Sequence, residues 1–167
     1  MNRLWSPWRS KYIQSFEDNN EFPEGETFIS YAVKSKDDKE NLVVFRSKYS
    51  IIIMNKYPYN NGHLLVCPIR EVNDLIMLED DEFADINNTL KKSVEVIKKI
   101  FSPHGYNIGL NAGSAAGAGV PKHLHYHIVP RWNGDTNFMT TVSDMKVMSQ
   151  SMEEAYELLK SEFDKIG

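Results

Sequence analysis

A chain of 167 residues with 41% hydrophobic and 25% charged positions can bury one core without disulfides or a structural metal, and is too apolar to be a disordered segment. Its formal charge of -4 supplies no global positive field, which excludes long nucleic acid and anionic membrane surfaces as partners held by charge; a small anion would have to be met locally, by a few donors and backbone amides. Cys67 is the only cysteine, so no intramolecular disulfide can form, and with no apolar run fit for a signal peptide or a membrane span the expected compartment is the cytoplasm.

Residues 1–24 read as an N-terminal arm, with Trp5, Pro7 and Trp8 among basic and polar residues, then an acidic stretch, and no sustained periodicity. Two tryptophans are costly to leave in water, so the arm is expected to dock on the body or on a second subunit. Local packing without a chemical role and a substrate contact both stay open for it. Next come three runs rich in Val, Ile and Leu, at 42–46, 50–55 and 63–68, split by Ser47 and Lys48 and by the turn formers between Pro58 and Gly62. They are expected to be consecutive antiparallel strands.

From about residue 80 the apolar positions Phe83, Ile86, Leu90, Val94, Ile97 and Phe101 recur at helical spacing, with acids at the start and lysines at the end, which predicts one long amphipathic helix. Pro103 and Gly105 stop it. Residues 106–111 read as a further strand, followed by a loop of small residues, AGSAAGAG, and then by HLHYHIVP as another strand. Near the C-terminus Ser151 and Glu154 form a capping box ahead of Ala155, Leu158, Leu159 and Phe163, which share a helical face.

Three of the five histidines fall at 123, 125 and 127. In a strand every second side chain points to the same face, so these rings are expected to converge on one surface, while Leu124 and Tyr126 between them, with Ile128 and Val129 after, offer the other face something to bury. Near pH 7 most imidazole is neutral, usable as a nucleophile or a base, while a neighbour keeps a proton. Three together allow one ring to attack phosphorus, a second to donate to phosphate oxygens and a third to orient the first. Two other readings remain at this point: rings that merely satisfy one another, and a zinc or non-haem iron site, for which His-x-His on a strand is a suitable spacing. Catalysis on phosphate is favoured by the preceding loop, where Gly113, Gly117 and Gly119 let backbone amides approach an anion closely.

The stretch HLHYHIV, residues 123–129, resembles the motif of the histidine triad (HIT) superfamily. NKYPYNNGHLLVCP at 55–68, GYNIGLNAGSAAGAG at 105–119, PRWNGDTNFM at 130–139 and LWSPWR near the N-terminus are similar to its bacterial and archaeal branch, the one related to diadenosine tetraphosphate phosphorylases and hydrolases. The resemblance implies an α+β fold with a five-stranded antiparallel sheet, one long and one C-terminal helix, and a homodimer whose sheets join. One domain would span 1–167, with the arm at 1–24 and a C-terminal helical extension at 140–167.

The same resemblance implies a nucleotidyl hydrolase or transferase acting on a small nucleotide substrate: a dinucleoside polyphosphate, a nucleoside phosphoramidate or an adenylylated small molecule. His125 would attack the α-phosphate and carry the nucleoside monophosphate, and water or inorganic phosphate would release it. His127 would contact the phosphate, His123 would orient and polarise His125, and amides near Gly119 and Val120 would hold non-bridging oxygens. Asn55 matches a ribose-binding position, Asn111 a polar position facing the phosphate, and His63 a histidine beside the triad. Ile53, Leu65 and Phe28 match apolar positions bordering the base.

For several of these a plainer role is open: Ile53 and Leu65 as core, Asn55 as the start of a turn, His63 as an ordinary strand residue. Two departures matter. Gly119 stands where many hydrolases of the superfamily have glutamine, which leaves the acceptor undecided. The positions matching a structural zinc site are Glu26, Ile29 and Glu71, with only His104 suited to ligation, so neither zinc nor another cofactor is expected. A catalytically weak nucleotide-binding regulatory dimer and a metal-dependent hydrolase are the competing functional classes.

Overall fold

The computed structural model describes residues 22, 23, 25–135 and 150–166. Trp5, Trp8 and the rest of the arm up to residue 21, together with 136–149, lie outside the described residues. Five strands, β1 (Val43–Arg46), β2 (Ser50–Met54), β3 (Leu64–Pro68), β4 (Gly105–Leu110) and β5 (Tyr126–Arg131), form one sheet in the order β1-β2-β3-β5-β4. All four neighbouring pairs are antiparallel. Among the described residues the α-helices are α1 (Phe28–Lys34), α2 (Asp80–Phe101) and α3 (Met152–Phe163).

Every residue of β2 and β3 is buried, because both faces of the sheet are covered. On one face Val44, Ile52, Met54, Leu64, Val66 and Ile128 pack against Ile86, Leu90 and Ile97 of α2 and Leu159 and Phe163 of α3. On the other, Val43, Ile51, Ile53, Leu65 and Cys67 pack against Ile29 and Ala32 of α1 and against Val120. This is the alternation of a pleated strand read twice, once toward each layer.

The long helix runs where the sequence puts it, with Asp80, Asp81 and Glu82 in its first turn and Lys98 and Lys99 in its last, each placed favourably along the helix dipole. Its buried stripe is rotated from the sequence expectation: Thr89, Ser93 and Val96 are buried, while Phe83 is 45% exposed. In α3 the Ser151–Glu154 capping box forms and Ala155, Leu159 and Phe163 are buried, but Leu158 is exposed because Tyr156 and Glu162 complete the packed side instead. Glu162 takes ion pairs from Lys99 of α2 and from Lys165, which ties the two helices together. The short α1, capped by Thr27 and Ser30, is a third helix beyond the two expected. No helix among the described residues is long and apolar enough to cross a membrane.

Candidate active site

The sheet register lays Ile53, Leu65, His127 and Gly109 in one transverse row on the α1 face, since Ile53 pairs Leu65, Leu65 pairs His127 and His127 pairs Gly109. One step along the same face, at the end of β2, Asn55 donates its backbone N–H to the carbonyl of His63 at 2.9 Å. His63 and His127 are thereby brought together, and their facing nitrogens, Nε2 of His63 and Nδ1 of His127, are 3.0 Å apart.

The proton on that contact can be assigned. The backbone N–H of Tyr59 donates to His63 Nδ1 at 3.1 Å, and the Asn55 amide nitrogen approaches the same atom at 3.3 Å. An atom that accepts carries no hydrogen in neutral imidazole, so the His63 proton sits on Nε2 and is donated to His127 Nδ1. A neutral His127 then holds its own proton on Nε2. His63 is driven strongly toward the neutral form, first by burial and then by the neighbouring His127 and His125.

His125 is fixed by a different partner. Its Nδ1–H donates to the backbone carbonyl of His123 at 2.8 Å, and because a carbonyl only accepts, Nε2 is left with an unprotonated lone pair. Burial holds the ring toward neutrality against the opposing pull of that carbonyl. The His125 and His127 rings lie edge to face with centroids 5.0 Å apart.

The three-on-one-strand expectation needs a correction here. The strand β5 starts at Tyr126, so only His127 belongs to it, and His123 and His125 precede it. Pairing of β3 with β5 ends at Val66–Tyr126, and two residues on Pro68 has no N–H to extend a ladder. Its carbonyl accepts instead from His123 Nε2 at 2.8 Å, while Leu124 N–H donates to Val72 O at 2.7 Å. The His123 ring therefore turns toward β3; it is the backbone carbonyl of His123, and not its imidazole, that bonds His125. His123 is 1% exposed, its Nδ1 has no partner among the described residues, and burial favours its neutral form.

Of the other sequence-derived residues, Asn55 is buried with its Oδ1 accepting from Tyr57 N–H at 2.9 Å, so it does start the turn while its amide reaches His63. Ile53 and Leu65 are each 1% exposed, and with Val120 and the half-buried Phe28 they form the apolar bed beside His127. Asn111 is half-buried just past the end of β4, on the face Gly109 marks by parity. In the small-residue loop Gly113 and Gly117 have positive φ, and the turn they make consumes the amides of Ala116, Gly117 and Ala118. Gly119 follows, half-buried, and the carbonyl of Val120 accepts from His123 N–H.

Among the positions weighed for zinc, Ile29 is core, Glu26 pairs with Lys34 and His104 Nδ1 accepts from Asn133 N–H at 2.9 Å. No cluster of three or more His, Cys, Asp or Glu among the described residues could hold a metal ion.

Two features were missed in the sequence. The Tyr59 ring packs on both His63 and His127, with centroids 4.7 Å and 5.8 Å away. Asn60 donates to Pro130 O at 3.0 Å and to Asp135 Oδ2 at 2.8 Å, and Arg131 pairs with that same carboxylate, bolting the turn that carries His63 to the end of β5. The only signal for either was a polar and aromatic turn, YPYNNG, richer in side chains than a bare connection requires.

Comparison with known proteins adds an independent line. The model of the HIT domain matches residues 36–134. The chain is 39% identical over 167 residues to an AP-4-A phosphorylase of Mycobacterium tuberculosis, covering 98% of this chain and 85% of that protein. It is 41% identical over 93 residues to an asymmetrical bis(5'-nucleosyl)-tetraphosphatase of Schizosaccharomyces pombe, covering 56% of this chain and 50% of the other. Among solved structures, the Plasmodium falciparum diadenosine triphosphate hydrolase in complex with cyclomarin A superposes with a TM-score of 0.63 at 23% identity, over 93% of this chain and 97% of that one, a likeness of fold.

Proposed function

The chain belongs to the HIT domain family, and from that premise we propose that it cleaves dinucleoside polyphosphates at the α-phosphate through a nucleotidyl-His125 intermediate. The observation that carries the reading is the 2.8 Å bond from His125 Nδ1–H to the His123 carbonyl, which leaves Nε2 as the attacking atom. The relatives' names, a phosphorylase and a tetraphosphatase, supply the substrate class.

In the first step the lone pair of His125 Nε2 forms a bond to phosphorus, and the P–O bond to the remaining polyphosphate breaks with its electron pair on the departing oxygen. That group leaves as an anion and needs no proton. His127, holding its proton on Nε2, donates a hydrogen bond to the transferring phosphoryl group, and the amides of Gly119 and Val120 would hold its non-bridging oxygens. The positive charge gained by His125 is stabilised through Nδ1–H at the His123 carbonyl. In the second step an acceptor oxygen attacks, the P–N bond breaks and its electron pair returns to Nε2. Phosphate as acceptor needs no proton transfer. Water gives its proton to Nε2, which then loses it to solvent.

The apolar bed of Ile53, Leu65 and Phe28 would border the base and Asn55 would meet the ribose. One domain with its C-terminal extension, working in the cytoplasm, fits this role. A homodimer is supported by the placement of β4 as an outer strand whose Tyr106 and Ile108 are 41% and 44% exposed.

The test is incubation with diadenosine tetraphosphate, with and without inorganic phosphate. Nucleoside diphosphate formed only when phosphate is present identifies a phosphorylase, and monophosphate formed without it a hydrolase. Tight binding of adenosine monophosphate without any turnover would favour the regulatory dimer instead.

A further inference from the structure

The pairing of β3 with β5 runs from Val66–Tyr126 through Leu65–His127 to Leu64–Ile128 and goes no further. His63 stands one residue before that end, where the chain is already turning. Its backbone N–H donates to Asn60 O at 3.3 Å and its carbonyl accepts from Asn55 N–H at 2.9 Å, so both groups are spent on the turn and on the end of β2. Its imidazole nevertheless has to meet a ring on β5, since the bonded nitrogens of His63 and His127 are 3.0 Å apart. A hydrogen bond weakens steeply as its atoms separate, so the distance between turn and strand at this point belongs to the site.

The side chain that spans this gap is Asn60. It is 6% exposed and its whole amide is engaged: Nδ2 donates to Pro130 O at 3.0 Å and to Asp135 Oδ2 at 2.8 Å, and Oδ1 accepts from the backbone N–H of Asn61 at 3.2 Å. Pro130 lies on β5 two residues beyond Ile128, so an amide side chain bonds to β5 where the ladder has ended. Asp135 is itself tied back to β5 by Arg131 at 2.7 Å. With its own carbonyl taking the His63 N–H, Asn60 joins the residue bearing one ring to the strand bearing the other. Its neighbour Asn61 offers a comparison within the same turn: it is buried to a similar degree, 8% exposed, but its Nδ2 donates to Gln150 Oε1 at 2.6 Å, ahead of α3 and not on β5.

We propose that Asn60 is a positioning residue of the histidine site: through Pro130 O and Asp135 it fixes the turn against β5, which keeps His63 Nε2–H within hydrogen-bond distance of His127 Nδ1. The catalytic consequence rests on the functional reading above, in which that bond keeps the His127 proton on Nε2, toward the phosphate. Both tethers are donated by the amide nitrogen, so a residue without that donor loses them while the backbone of the turn is unaltered.

The test measures the nitrogen–nitrogen coupling across the His63–His127 hydrogen bond by NMR, together with steady-state kinetics on diadenosine tetraphosphate, for the wild type, Asn60→Ala and Asn61→Ala. The coupling is expected in the wild type and in Asn61→Ala, and is lost in Asn60→Ala. In Asn60→Ala kcat falls by about tenfold with KM changed less than about twofold, whereas Asn61→Ala stays within about twofold in both. A coupling or a kcat that survives unchanged in Asn60→Ala overturns the proposal. So do equal losses in the two variants, which would mark a turn that matters only for stability, and a wild type without the coupling. Should Asn60→Ala fail to fold, Asn60→Ser is read in its place against the same outcomes, its hydroxyl being too short to reach both acceptors. If the wild type cleaves no dinucleoside polyphosphate, the functional reading falls on its own, while the couplings still decide whether Asn60 holds the two rings together.

Discussion

The imidazole of His125 donates through Nδ1 to the backbone carbonyl of His123, two residues earlier, at 2.8 Å. A backbone acceptor survives substitution of the His123 side chain, so the two residues are predicted to differ sharply on mutation. His125→Gln removes the nucleophile and lowers turnover by on the order of 10⁴-fold with folding intact. His123→Asn keeps the carbonyl and is expected to retain turnover within about 10- to 100-fold of wild type, the range of a perturbed neighbouring hydrogen bond. Equal losses in the two variants, measured under saturating substrate, would contradict this division of roles.

His63 sets the tautomer of His127 through the 3.0 Å contact between their rings. Replacing it by phenylalanine leaves the bulk but no donor, so His127 can then carry its proton at Nδ1 and present a bare Nε2 to the phosphate. The expected result is a loss of about 10- to 100-fold in kcat, together with a change of tautomer visible in the His127 nitrogen shifts. Full activity in His63→Phe would remove His63 from the account.

Acid should destabilise the fold. His63, His123 and His125 all have pKa values held below the usual histidine value, chiefly by burial. The folded state therefore resists protons that the unfolded chain accepts, so this stability is fully present above the unfolded pKa of about 6.5. As pH falls below that value the unfolded state is favoured by up to about 1.4 kcal/mol per group per pH unit, until the folded pKa of each group is passed. Urea midpoints at pH 7.5 and 5.5 measure the effect, and a midpoint that holds steady between them would rule it out.

Gly62 has φ +70°, and a Cβ there would meet Phe101 Cε2 at 2.6 Å. Gly62→Ala should cost about 1–3 kcal/mol, with partial recovery in Gly62→Ala/Phe101→Leu, since removing the clash leaves the backbone strain. Denaturant melts of the two variants supply the comparison; no loss in the single variant means the turn relaxes freely.

Much of this was legible in the residues. The three runs between 42 and 68 became β1, β2 and β3 within a residue or two at each end, and the helical spacing from residue 80 ended at Phe101 as read. Those signals are local, being periodicity and turn chemistry. The histidine motif was read correctly in its parity across 125 and 127, which share a ring contact. It was misread in its extent, since His123 and His125 both precede the strand and the His123 ring turns away, because the start of β5 depends on where β3 stops pairing, and that is a matter of tertiary register around Pro68. The packing of Tyr59 on the histidines was invisible for the same reason: ring stacking between residues 68 positions apart leaves no periodic trace. The exposure of Phe83 and Leu158 likewise follows from which side of each helix met the sheet, and not from the helical pattern alone.

The central claim is that a nucleotide becomes bonded to His125 Nε2. Rapid acid-free quenching of the protein with diadenosine tetraphosphate, followed by mass spectrometry of its peptides, tests this directly. The account predicts a nucleoside monophosphate increment on the peptide bearing His125, absent in His125→Gln and discharged by phosphate or by time. Turnover with no increment on any histidine, or an increment on His123 or His127 instead, would contradict it.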